Sequence, residues 1–222
     1  MTLLRTFLHS ARGCRALSRQ LSTSKSYSNA SNESMIAGTA PSYRCYVFLH
    51  SSIPPSAFPA KFMAPLQREL QLRVLQWGGF VNWVYYGPNS PGVDPTQSHG
   101  DATLTATAFT SSGQRIDIPD LSRSTLDEVD NTLKRHSEKP SPAMSEDQIH
   151  LLVCTHMARD CRCGDLGGTY VRALRTEIEK RKKLDERLYG RFRIGEVGHV
   201  GQHKYVLRAS FWSMTYLSLA AD

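Results

Sequence analysis

The chain has 222 residues, 40% of them hydrophobic and 21% charged. That balance fits a globular domain and excludes a disordered one, and no apolar run approaches the roughly 20 residues that span a bilayer. The net charge of +7 sits mostly in residues 1–32, where Arg5, Arg12, Arg15, Arg19 and Lys25 stand without an acid; the remainder carries only +2, which excludes the footprint of a nucleic-acid binder.

The first 32 residues read as a mitochondrial presequence and disordered leader. They are rich in Arg and Ser and lack a continuous apolar core. On a helical wheel the four arginines fall on one side, with Leu3, Leu4, Phe7 and Ala11 largely on the other. Arg19 suggests processing near Gln20–Leu21, and the expected location is the mitochondrial matrix. In that compartment cysteines serve metal or redox chemistry more often than a disulfide framework.

In chain order, "RCYVFLHS" (44–51) predicts a strand. "AKFMAPLQRELQLRVLQWG" (60–78) predicts a helix with Leu66, Leu70 and Val74 on one stripe, ended by Gly78 and Gly79. "FVNWVYY" (80–86) is aromatic and β-branched, hence a strand, and a Pro/Gly/Asn loop follows at 87–100. "ATLTATAFT" (102–110) and "QRIDIPD" (114–120) predict a hairpin across "SSG". Residues 124–136 predict a helix with Ser124 as cap and Asp127 and Glu128 in its first turn. The resulting β-α-β-β-β-α order is a minimal thioredoxin-like layout over 43–136. A Pro/Ser-rich charged stretch, 137–147, reads as a linker.

The second half repeats the pattern. "QIHLLVCT" (148–155) predicts a strand that delivers Cys154 at its end. Residues 168–190 predict a helix whose stripe of Val171, Leu174, Ile178, Leu184 and Leu188 faces a sheet. "RFRIGEV" (191–197) predicts a strand, and "GHVGQH" the loop after it. The expected fold class is therefore α/β, with two thioredoxin-like units in tandem. The second, at 148–210, is expected to be truncated at its C-terminal end, because 206–222 does not read as a continuation of it.

Three of the five cysteines lie within 154–163, beside His156, and two more histidines follow at 199 and 203. Cys154, Cys161, Cys163, His156, His199 and His203 are thus the candidate ligands. Thiolates and imidazoles suit zinc or an iron–sulfur cluster, and carboxylates are absent from the core of the set. Gly198 and Gly201 let the backbone turn tightly so that both rings reach one centre. Two cysteines and two histidines leave structural zinc and a Rieske-like [2Fe–2S] cluster both open, although zinc fingers usually bring their cysteines closer together than 154 and 163. Cys45 reads as a buried inert thiol. His50, His99, His136 and His150 read as structural or surface residues.

"CTHMARDCRCG" followed by "GHVGQHKY" resembles the sucrase/ferredoxin-like family of thioredoxin-like [2Fe–2S] proteins, whose pattern is C-x-H-x-x-R-D-x-R-C-G and then H-V-G-G-H-K-Y. Cys154, His156, Arg159, Asp160, Arg162, Cys163 and Gly164 fall on the first element. His199, Val200, Gly201, His203, Lys204 and Tyr205 fall on the second. The resemblance implies a [2Fe–2S] cluster held by Cys154, Cys163, His199 and His203, with zinc as the alternative cofactor. It leaves His156 and Cys161 as accessory candidates. It also implies electron transfer or redox sensing with a redox partner protein, and loading by iron–sulfur assembly machinery. Cys161 and Gln202 depart from the family's usual residues, and so does the tail 206–222. Two other functions compete: a thiol–disulfide oxidoreductase using Cys161 and Cys163 or Cys154, weakened by the lack of C-x-x-C, and a zinc-stabilised interaction module. No complete set of nucleophile, base and oxyanion donors points to an enzyme.

Overall fold

The computed structural model describes residues 42–97, 103–139 and 148–200, together with the backbone of 209–212. The proposed presequence, most of the linker, His99 and the second histidine of the candidate site, His203, lie outside the described residues.

Apolar, β-branched and aromatic runs form the strands β1 (Cys45–His50), β2 (Gly79–Tyr85), β5 (Ile149–Cys154) and β6 (Phe192–Val197). Between the first and second pairs, β3 (Leu104–Thr110) and β4 (Arg115–Leu121) form the expected antiparallel hairpin. Pro119 is tolerated in β4 because that strand pairs on one side only. A seventh strand, β7 (Ala209–Trp212), pairs antiparallel with β5. The tail therefore contributes a strand that the sequence pattern does not announce, because its serine and small residues hide the alternation that marks a strand.

All seven strands share one sheet in the order β4-β3-β1-β2-β6-β5-β7. β1 runs parallel to β2 and antiparallel to β3, and β5 runs parallel to β6 and antiparallel to β7. The halves meet where β2 pairs antiparallel with β6, Val84 opposite Val197 and Tyr85 opposite Glu196. The molecule is thus a mixed α/β protein, and its repeated strand order is compatible with two thioredoxin-like units joined edge to edge.

Helix α1 (Pro65–Val74) buries Leu66, Leu70 and Val74 as the stripe predicts. It begins five residues later than expected. Pro65 favours the first helical position and holds Ala64 extended, so the chain before it does not coil. Gly78, at φ 91°, ends the run in the left-handed conformation that glycine supplies without strain. Helix α2 (Leu126–Glu138) has Asp127 and Glu128 in its first turn, but Thr125 is its cap residue and not Ser124. The Thr125 hydroxyl instead accepts from the Ser122 N–H at 2.9 Å, and Ser124 meets the Ser122 hydroxyl. The helix also takes up the first two residues of the expected linker.

The long helix expected at 168–190 is two helices, α3 (Gly168–Lys182) and α4 (Glu186–Tyr189). Asp185, itself extended, caps the second by accepting from the Leu188 N–H at 2.9 Å, which starts a new helix after the break. Val171 is buried, and Leu174 and Ile178 pack against β5 and β6, but Leu184 and Leu188 are exposed. The stripe fails there because the break removes those two leucines from the sheet-facing side.

Residues paired across neighbouring strands share a face. Glu196, which binds Arg175 of α3 at 3.1 Å, therefore lies on the same face as Tyr85. Two positions earlier along the strand, Trp83 packs in the cluster that contains α1 and α2. The three long helices thus lie on one side. On the other, Phe48, Val84, Phe109, Leu152, Cys154 and Val197 form an apolar cluster that crosses the seam between the halves.

Candidate metal centre

Every residue of β5 is buried, as expected for a central strand covered on both faces. Its alternation places Leu151 and Val153 under α3 and sends His150, Leu152 and Cys154 to the opposite face. Cys154 is the strand's last residue. The chain then makes a tight loop whose turns are closed by the His156 carbonyl, which accepts from the N–H groups of Arg159 and Asp160. Asp160 closes the next turn through the N–H of Cys163, while its carboxylate holds the Arg162 guanidinium at 2.7 and 3.0 Å.

A single π-helical turn, Cys163–Gly167, then leads into α3. Such turns are uncommon and recur at functional sites. Gly167 explains how this one packs: a Cβ at that position would overlap the carbonyl oxygen of Cys154. The glycine lets the turn rest directly on the strand end, and that approach brings Cys163 to Cys154.

The third member arrives from β6. His199 follows two residues after Val197, the partner of Cys154 in the parallel register. Its Nδ1 lies 3.9 Å from the Cys154 Sγ and 3.7 Å from the Cys163 Sγ. One donor atom from each of Cys154, Cys163 and His199 lies within 4.8 Å of the other two, a group able to hold a metal ion. No carboxylate belongs to it, which suits a soft or borderline cation.

Burial pushes both thiols up: Cys154 lies above the ordinary thiol value, and Cys163 reaches about 12, raised further by the neighbouring Cys154. Without a metal the pair is therefore neutral at physiological pH, and a bound cation must displace two protons.

His156 has a different part. Its Nε2–H donates to the Pro59 carbonyl at 3.0 Å, and its Nδ1 accepts from the His199 N–H at 3.4 Å. Both ring nitrogens are engaged, so in this arrangement the side chain braces the backbone of His199 and offers no lone pair to a metal. Burial holds its pKa below the usual imidazole value, which keeps that neutral tautomer. Cys161 is part-exposed and stands outside the group.

One supporting residue carries no motif. Asn82, buried in β2, donates from Nδ2 to the Gly198 carbonyl at 3.0 Å and accepts from the Trp83 N–H at 2.8 Å. It ties the first half to the turn that presents His199. An asparagine in the middle of the apolar run "FVNWVYY" is the sequence signal that marks it, since a buried amide must find partners.

Compared with models of known protein families, residues 36–208 match the one described as sucrase/ferredoxin-like. No curated protein and no solved structure matches the chain.

Proposed function

The chain belongs to the sucrase/ferredoxin-like family, and from that premise we propose that it is a mitochondrial redox protein carrying one [2Fe–2S] cluster held by Cys154, Cys163, His199 and His203. The observation that carries this reading is the convergence of a buried thiol, a part-buried thiol and one imidazole at the ends of two parallel strands. His203, four residues beyond His199, completes the ligand set by its place in the motif. Among family members, the leader and the paired motifs suit the mitochondrial one called altered inheritance of mitochondria protein 32.

When bound, the cluster supplies one-electron chemistry. Two neutral imidazoles in place of thiolates lower its negative charge and ease reduction: Rieske-type centres lie at about −150 to +300 mV, against about −400 mV for plant-type ferredoxins. The chain's own part is structural and electrostatic. Cys154 and Cys163 give up their protons on loading. His156 and Asn82 fix the turn carrying His199. The surrounding apolar cluster limits water around the sulfurs, which tunes a metal centre through its local dielectric. No helix among the described residues is long and apolar enough to cross a membrane, and the reading needs no membrane: it takes a redox protein as partner and the iron–sulfur assembly machinery as donor.

One observation favours a second reading, a single zinc ion. The S···N separations of 3.7 and 3.9 Å are close to the edge of about 3.6 Å expected in a tetrahedron with Zn–S near 2.3 Å and Zn–N near 2.0–2.1 Å. Absorption and electron paramagnetic resonance spectra of anaerobically purified protein, before and after dithionite, separate the two. A red-brown oxidised form with a Rieske-like reduced signal supports the cluster; a colourless, signal-free protein that retains zinc overturns it.

A further inference from the structure

Beside the metal centre lies a cavity of about 730 Å³, bounded by α1, β2, the segment before α1 and the turn that carries His199. Its size falls within the range of small-molecule sites. We propose that it binds a planar aromatic molecule bearing an anionic group, in contact with the wall that contains His199.

The aromatic part of the assignment follows from the walls. Phe80 is stacked on Tyr43 with ring centroids 5.0 Å apart, and Phe62 packs against Phe58 at 5.6 Å. These rings are held by the core behind them: Trp83, next to Phe62, is buried and its indole N–H donates to Gln67 at 2.8 Å. Flat faces fixed in advance favour a flat ligand, because little side-chain freedom is lost on binding. The mouth is also apolar, with Met63 54% and Leu75 50% exposed, a grouping that marks a contact site more than an ordinary surface.

The charge follows from what else lines the cavity. Lys61 and Arg159 both border it, and among the described residues no acidic residue does and neither cation has an ion-pair partner. Gln71 adds a donor. Its Oε1 accepts from the Val81 N–H at 2.8 Å, which leaves the buried Nε2 without a hydrogen-bond partner. Two cations with no acid beside them among the described residues call for negative charge in the occupant. Contact with His199 places that occupant against the proposed redox centre; this last feature rests on the function proposed above, whereas the binding itself does not.

Isothermal titration calorimetry of the full chain with anthraquinone-2-sulfonate tests the proposal, with metal content measured on the same samples. Saturable binding of one probe per chain is expected. Charge reversal of the two exposed cations, Lys61→Glu with Arg159→Glu, should weaken it by about tenfold or more and leave the metal content unchanged. Cys163→Ser touches no wall of the cavity; it should lose the metal yet bind the probe within about twofold of the parent. Absence of saturable binding, or affinity untouched by the charge reversal, overturns the proposal. Probe binding by a parent chain without metal supports the pocket while contradicting the metal centre, so the two readings fail separately.

Discussion

The two halves of the sheet put different residues at matching places. His50 ends β1 opposite Val84, as Cys154 ends β5 opposite Val197. After each strand the next N–H donates to the partner strand, Ser51 to the Val84 carbonyl and Thr155 to the Val197 carbonyl. Two residues beyond the partner strand's last match stand Tyr86 in the first half and His199 in the second. In the second half these positions bring a thiol and an imidazole together. In the first, His50 is spent on Thr105 and Thr107, at 2.9 and 3.0 Å, and Tyr86 on His150 at 2.9 Å. The same framework therefore yields a Cys/His group able to hold a metal ion or a hydrogen-bonded plug, according to which side chains occupy the strand ends. The plugged half also supports the other: Pro59 and Asn82 belong to it, and both hold the turns around His199.

The sharpest way to break the comparison is to remove a thiol from the second half. Cys163→Ser should abolish metal retention on purification, measured by elemental analysis, with the rest of the sheet intact by circular dichroism. Full metal occupancy in that variant would remove Cys163 from the site. Gly167→Ala comes next, since the added methyl overlaps the Cys154 carbonyl and the π-helical turn must lift. A loss on the order of 4 kcal/mol in denaturant unfolding is expected, at the upper end for single substitutions; a change below about 1 kcal/mol would show that the turn does not rest on the strand end.

The plug has its own signature in pH, carried by His150 of β5, which closes it on Tyr86. Burial, together with the nearby Arg115, lowers the His150 pKa from 6.5 to about 4. Below pH 6.5 the unfolded chain takes up a proton that the folded chain refuses until about pH 4. The contribution is thus complete above 6.5 and is lost as the pH falls toward 4, by about 3 kcal/mol in all. His150→Phe should flatten that part of the stability profile, and an unchanged slope would mean that His150 ionises freely in the fold. The smallest effect belongs to the link between the halves. Asn82→Ala should cost about 1–2 kcal/mol and speed metal loss to a chelator, whereas a stability loss with unchanged metal release would confine Asn82 to packing.

Much of this architecture is legible in the sequence, for reasons that differ from element to element. β1, β2, β5 and β6 declare themselves as short apolar runs bounded by turn residues, and parallel pairing of β5 with β6 brings His199, two residues past Val197, to the end of β5 that carries Cys154. The cysteine and histidine motifs identify three of the residues that meet. The break between α3 and α4 is hidden because Lys183 and Leu184 are good helix formers, and only the Asp185 cap marks the start of a new helix. The bracing of His199 by His156 and Asn82 is hidden for another reason: it depends on contacts between residues more than 40 positions apart, which periodicity does not encode. His156 illustrates the point. Its spacing from Cys154 suggests a ligand, and its hydrogen bonds to Pro59 and His199 make it a brace.

The most direct test of the central claim is the count of iron, acid-labile sulfide and zinc per chain in protein purified without oxygen. The account predicts about two irons and two sulfides, with zinc absent, and loss of both in Cys154→Ser. One zinc per chain with neither iron nor sulfide would contradict it and make the centre structural.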